Sequence, residues 1–184
     1  MTFGLEGFSA VRPVRVELLT GGYRIAGTIT TRFSRVAEIL NQLSATHLPV
    51  EDATVEAHGA GSPERAPTAV VAVDEILVML ADELADAPSG DMRVPKQPAR
   101  ARLAIPPFWL EGTAYVPVGG RAIDGLLNLA DRFIPMTDVR ITSPLHPELR
   151  MGGPVAAIRR AGAHVIMFPP ETDDAPAPDD GSAG

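Results

Sequence analysis

Leu48-Pro49-Val50-Glu51-Asp52-Ala53-Thr54-Val55 decides how the rest of the chain is read, because it recurs 86 residues later as Ile134-Pro135-Met136-Thr137-Asp138-Val139-Arg140-Ile141. The order apolar, Pro, apolar, polar, Asp, apolar, polar, apolar is kept throughout. Upstream, Tyr23-Arg24-Ile25-Ala26-Gly27-Thr28 matches Phe108-Trp109-Leu110-Glu111-Gly112-Thr113 at an offset of 85. Downstream, Ile76-Leu77-Val78-Met79-Leu80 resembles His164-Val165-Ile166-Met167-Phe168 at 88. Collinear matches with small drifts are what duplication followed by short loop insertions produces.

Each copy reads the same way. Val14, Val16 and Leu18 alternate with Arg15 and Glu17, the period of a half-buried strand. Thr20-Gly21-Gly22 reads as a tight turn in which glycine supplies a positive φ. A second strand over 23–31 carries Gly27, and a strand glycine marks a bulge or a close backbone approach. Gly112 stands at the same place in the second copy, where Pro106-Pro107 replaces Gly-Gly. Val36, Ile39, Leu40 and Leu43 form a helical stripe, as do Ile123, Leu126, Leu127 and Ala130. Superposing the stripes requires an offset of 87 and pairs Asn41 with Asn128; an offset of 86 pairs Arg35 with Arg121 and Glu38 with Asp124. The apolar stripes decide for 87, because burial outweighs a surface ion pair. Pro49 and Pro135 open turns into third strands near 53–57 and 139–143, and further strands are expected near 69–73, 76–81, 155–159 and 163–168.

The expected fold is therefore α+β and β-rich, two tandem strand–strand–helix–strand–strand–strand units forming a small barrel or sandwich about a pseudo-twofold axis. Residues 1–13 lead in, 14–81 form the first repeat, 82–98 a breaker-rich linker, 99–168 the second repeat, and 169–184 a disordered acidic tail. Units of this size are marginal alone, so packing against each other would stabilise both.

Composition narrows the class. The chain has 184 residues, 45% hydrophobic and 21% charged, as in an ordinary globular protein. No apolar run approaches a membrane span, and the first residues lack the basic and apolar segments of a secretory signal, which points to a cytoplasmic protein. Without cysteine there is no disulfide, thiolate metal site or cysteine nucleophile. Net charge is −7, but Glu171, Asp173, Asp174, Asp179 and Asp180 supply most of it; without those five, 18 acids face 16 bases. So balanced a body argues against nonspecific polyanion binding.

The common phosphate-cradle, zinc-protease, calcium-loop and nucleophile-elbow motifs are absent from the sequence. His58, His146 and Glu148 suggest a metal group, although solvent-facing loop histidines explain the first two as well. Glu38 and Asp124 could be paired acid–base carboxylates, or acids complementing helix N-termini. Asn41 and Asn128 are poor helix residues, so each either contacts a ligand or satisfies a neighbouring backbone group. Asp52 and Asp138 read as Asx-type turns before a strand. Phe108 and Trp109, with Tyr23 in the other copy, could stack bases or anchor a partner; strand alternation buries one of Phe108 and Trp109 and exposes the other.

The hairpin Leu19-Thr20-Gly21-Gly22-Tyr23-Arg24-Ile25-Ala26-Gly27-Thr28-Ile29 resembles the first motif of Sm-like proteins, with Gly22, Ile25, Gly27 and Ile29 in its key places. Leu110, Gly112 and Ala114 keep part of it in the second copy. The resemblance implies small bent barrels that form rings and bind RNA. The two-copy pattern over 14–168 is also similar to uncharacterised bacterial domains of unknown function, which imply no activity.

The expected function is a non-enzymatic interaction or scaffold module, needing no cofactor or metal, that self-associates or docks on a protein partner through open strand edges. The alternative is a small-ligand or RNA-binding domain with its site between the copies, for which Arg15, Arg24, Arg100 and Arg102 would form a basic groove. Candidate contacts are Tyr23, Arg24, Phe108, Trp109, Asn41 and Asn128.

Overall fold

The alternating segments become one sheet in the computed structural model, which describes residues 11–81, 96–119, 121–127 and 130–169. In the N-terminal half, β1 (Arg12–Leu19) and β2 (Tyr23–Thr31) form a hairpin, followed by α1 (Val36–Asn41), β3 (His47–Ala57), β4 (Ala60–Ala72) and β5 (Val78–Ala81). The C-terminal half runs β6 (Lys96–Ile105), β7 (Phe108–Pro117), α2 (Ala122–Leu127), β8 (Phe133–Thr142), β9 (Arg150–Arg159) and β10 (Val165–Met167). A 3-10 turn precedes the last strand of each half, at Val73–Glu75 and Arg160–Gly162. Among the described residues the strands form one open antiparallel sheet in the order β10-β6-β7-β8-β9-β5-β1-β2-β3-β4.

Within each half the last strand pairs with the first, and the remaining three follow in sequence. The registers agree residue by residue. Leu19 faces Arg24 and Val78, while Ala104 faces Trp109 and Val165. The second hairpin pair is interrupted in both halves, between Ala26 and Thr28 and between Glu111 and Thr113. There Asp52 and Asp138 take left-handed φ values of 49° and 53°. They thus lie within β3 and β8, at a bulge, rather than in turns before a strand. Asp tolerates this conformation better than most side chains do. Facing the bulges, a Cβ on Gly27 would stand 2.6 Å from the Glu51 carbonyl oxygen, and one on Gly112 2.8 Å from that of Thr137.

The halves join through β5 and β9, with Val78 opposite Ile158 and Ala81 opposite Val155. These are the last strand of one half and the fourth of the other. A twofold axis would bring equivalent strands together, so the expected pseudo-twofold gives way to a head-to-tail join. The core crosses it as well: Phe133 and Ala157 pack with the N-terminal half, while Leu19, Val78 and Leu80 pack with the C-terminal half.

Several local expectations need correction. The helices begin at 36 and 122, an offset of 86, with equivalent ion pairs Arg35–Glu38 and Arg121–Asp124 and with Leu40 and Leu126 both buried. At six residues each, they are too short for a four-position stripe to set their alignment. β3 and β8 start before Pro49 and Pro135, which are strand residues. β5 and β10 correspond at an offset of 87, so Val78, not Leu77, matches Val165. Gly21 and Gly22 have no left-handed φ. Instead, Thr20 closes the turn: its Oγ1 accepts from the Tyr23 N–H at 3.0 Å, and its own N–H donates to the Tyr23 carbonyl. Such a turn does not demand glycine, and the other half uses a cis Pro106-Pro107. The expected lead-in ends inside β1, and residues 96–98 of the expected linker belong to β6. The rest of the linker and all of the acidic tail beyond Pro169 lie outside the described residues.

Candidate functional site

A strand with consecutive apolar residues needs both faces covered. β5 is such a strand, and all four of its residues are buried between β1 and β9. β10 holds the equivalent place at one end of the sheet, where among the described residues β6 is its only strand neighbour. Val78 is 0% exposed and its counterpart Val165 47%; Leu80 is 5% exposed and Met167 37%.

The other end shows the same imbalance. In β9, Ala156, Ala157 and Ile158 are fully buried; their register equivalents in β4 are Ala69, Val70 and Val71. Val70 is 65% exposed where Ala157 is 0%. Beside it lies a mostly apolar trough of about 400 Å³, walled by Thr20 to Tyr23, Ile25, Val55, Ala69 to Ala72 and the single carboxylate Glu75. In the C-terminal half Phe108 and Ile141 are buried where their counterparts Tyr23 and Val55 are exposed and half-buried. Leu77 of the N-terminal half packs there; a Cβ on Gly162 would lie 3.0 Å from its Cδ2. The trough therefore corresponds to the place where the C-terminal half receives the segment leading into β5, and among the described residues nothing fills it in the N-terminal half.

The residues expected to make contacts are scattered. Tyr23 is exposed on the trough rim. Arg24 donates to Glu17 at 2.8 Å and lies 3.6 Å from Glu56. The hydrogen bond to Glu17 raises its pKa above the ordinary value, against the opposing effect of burial. Phe108 is a core residue, edge-on to His58 at 5.3 Å, and presents no face on which a base could stack. Trp109 is half-buried, with the Arg102 guanidinium 4.7 Å above its ring, and Arg102 also pairs with Glu111 at 3.1 Å. Asn41 is occupied by backbone: its Nδ2 donates to the Phe133 carbonyl and its Oδ1 accepts from the Phe133 N–H, both at 2.9 Å. Arg132 adds a bond to the Leu40 carbonyl at 3.2 Å. The amide thus fastens α1 to the other half. Asn128 lies outside the described residues, and at an offset of 86 Asn41 aligns with Leu127 instead.

Val70, Val165 and Met167 were not among the expected contacts. Their signal in the sequence is the unbroken run Ala69-Val70-Val71-Ala72-Val73, which no solvent-facing edge requires.

His58 and His146 do meet across the halves, with ring centroids 5.6 Å apart, and His146 Nδ1 lies 3.7 Å from Glu148. His58 Nε2 is engaged with the Thr20 carbonyl at 3.1 Å. Among the described residues no group of three or more His, Asp or Glu stands close enough to hold a metal ion. Glu38 and Asp124 each pair with the arginine just before their own helix and belong to different halves. Recesses beside Asp52 and Asp138 each lie within one half. Among the described residues no helix is long and apolar enough to cross a membrane. No protein-family model, curated protein or solved structure matches the chain.

Proposed function

We propose that the chain is a tandem pair of one β-unit and acts as a non-enzymatic interaction module, docking protein by strand addition at its open β4 edge. The observation that carries this reading is the exposed Val70 beside an apolar trough whose counterpart in the other half is filled by protein. Backbone hydrogen bonding along a free edge supplies affinity, and the trough selects the incoming side chains. Tandem duplication is supported by matching strand order, bulges and registers. Protein is favoured over nucleic acid because Arg24 and Arg102, two of the four arginines a basic groove would use, are already matched by Glu17 and Glu111.

Native mass spectrometry of gently purified protein, with the ratio of absorbance at 260 and 280 nm, tests the reading. Added polypeptide mass that disappears in Val70→Asp is expected. A bare monomer at every concentration would overturn it. So would added mass with raised 260 nm absorbance that survives the substitution, since that would mark a nucleotide or RNA ligand.

A further inference from the structure

We infer that the partner at this edge is a second copy of the chain, whose β10 pairs with β4 as β5 pairs with β9 within one molecule. The inference rests on the edge-docking reading above and adds the occupant and its register.

The internal join supplies the template. It unites the last strand of one half with the fourth strand of the other, so among the described residues two complementary faces remain unused, one at each end of the sheet. Each lacks what the internal join provides. Val165 and Met167 are exposed where Val78 and Leu80 are buried, and Val70 is exposed where Ala157 is buried. The helices carry the same imbalance. Four residues of α1 are buried, where it packs against β8 and β9 of the other half. On α2 Leu126 is the buried side chain among those described. A neighbour's β3–β4 edge would cover α2 as β8 and β9 cover α1.

The lengths agree as well. The β5 ladder on β9 stops at Val155, next to Pro154, and Pro67 stands at the same position in β4; without an N–H, neither proline can donate to a neighbouring strand. What remains of β4 matches the short β10. Transferring the internal register puts Val165 opposite the neighbour's Val71, Ile166 opposite Val70 and Met167 opposite Ala69. Inside the molecule Leu77 donates to the Leu19 carbonyl and accepts from the Arg159 N–H, both at 2.8 Å. His164 already makes the first of these bonds, to the Ala104 carbonyl at 2.9 Å. Its carbonyl would accept the second from the neighbour's Ala72. Because the two faces differ, every added copy presents a fresh one, and the rotation per step decides between a ring and a fibre.

The absence of native cysteine permits a direct test. Val70→Cys and Ile166→Cys chains carrying tags of different size are mixed and oxidised. Directly opposed strand residues lie within disulfide reach, so a mixed disulfide dimer is expected. Val70→Cys with Val165→Cys should give far less, because Val165 leaves the opposite face of the strand. Untagged wild-type protein should sediment as species larger than a monomer, and Val70→Asp as a monomer with unchanged circular dichroism. Dominant Val70→Cys self-coupling would overturn the head-to-tail arrangement in favour of a twofold edge contact. A chain monomeric by itself but carrying a different polypeptide would overturn the second-copy assignment and leave edge docking standing. Absence of any protein association would overturn both.

Discussion

β5 and β10 have the same register on their neighbours and nearly the same chemistry, Val-Met-Leu against Val-Ile-Met over their shared positions, yet one is core and the other surface. The difference lies entirely in what stands on the far side. Burial here is a property of the strand's neighbours, and the residue type records only the environment the strand is suited to. An apolar strand left half-covered thus identifies an incomplete contact more sharply than an isolated exposed residue, which is normal on any surface.

The largest expected effect separates these two strands. Leu80→Ala should cost about 2–5 kcal/mol, the usual range for a large-to-small change in a core. Met167→Ala should cost about 0.5 kcal/mol or less in dilute protein, where its side chain is partly in water. Denaturant melts of both variants check this. The comparison sharpens with concentration: if β10 is seated on another chain, the Met167→Ala penalty grows as protein is added, because association stabilises the folded state by mass action. Equal penalties for both variants in dilute solution would break the distinction.

Much of this architecture was legible in the sequence, and what was missed has a common cause. The strand alternation at Val14, Val16 and Leu18, the strand glycines and the recurrent Pro-x-x-Asp are local signals, and each lies where its local physics requires. The helix register departs from the expected one because an apolar stripe dominates a long helix but not one of six residues, whose place is set by the strand that precedes it. The bulge aspartates looked like turn residues because a left-handed φ serves either purpose. The pseudo-twofold expectation and the scattered contact residues failed for a different reason: which strand lies beside which is a long-range outcome. The docking edge was hidden for that reason too, although the unbroken run at 69–73 announced a strand that water alone does not suit.

The next comparison sets the two bulges side by side. An added methyl at Gly27 meets the Glu51 carbonyl and Val50 Cγ1, both at 2.6 Å; at Gly112 the nearest side-chain atoms are 3.2 Å away and the Thr137 carbonyl 2.8 Å. Gly27→Ala should therefore destabilise by about 2–3 kcal/mol and Gly112→Ala by about 1–2 kcal/mol, within the range for overpacking. Thermal unfolding of the pair measures the gap, and a reversed order would show that the second bulge is the more rigid one. Asn41 tests the join itself. Asn41→Ala leaves the Phe133 N–H and carbonyl without their partner and should cost about 1–3 kcal/mol. Amide exchange at Phe133 should accelerate with it, a change that a purely local helix defect would not produce.

The smallest effect concerns the ion pairs of the two short helices. Hydrogen bonds from Arg121 hold the Asp124 carboxyl below its ordinary value of 3.8, and opposite charge adds to the shift. A carboxylate whose pKa is lowered by folding contributes stability above its unfolded value, and loses it as pH falls through the folded one. The pair is open to water, however, and the equivalent Arg35–Glu38 contact is longer, 3.7 Å against 2.9 Å. Solvent screening leaves such pairs little to contribute. Asp124→Asn should accordingly shift the melting temperature at pH 7 only slightly, and that difference should fade as pH falls through the lowered value of the folded carboxyl. A large neutral-pH loss would mean that Asp124 is shielded from water in the protein as it exists in solution. Covering of α2 by a neighbouring β3–β4 edge would shield it in that way, so this exposed ion pair also reports on the assembly.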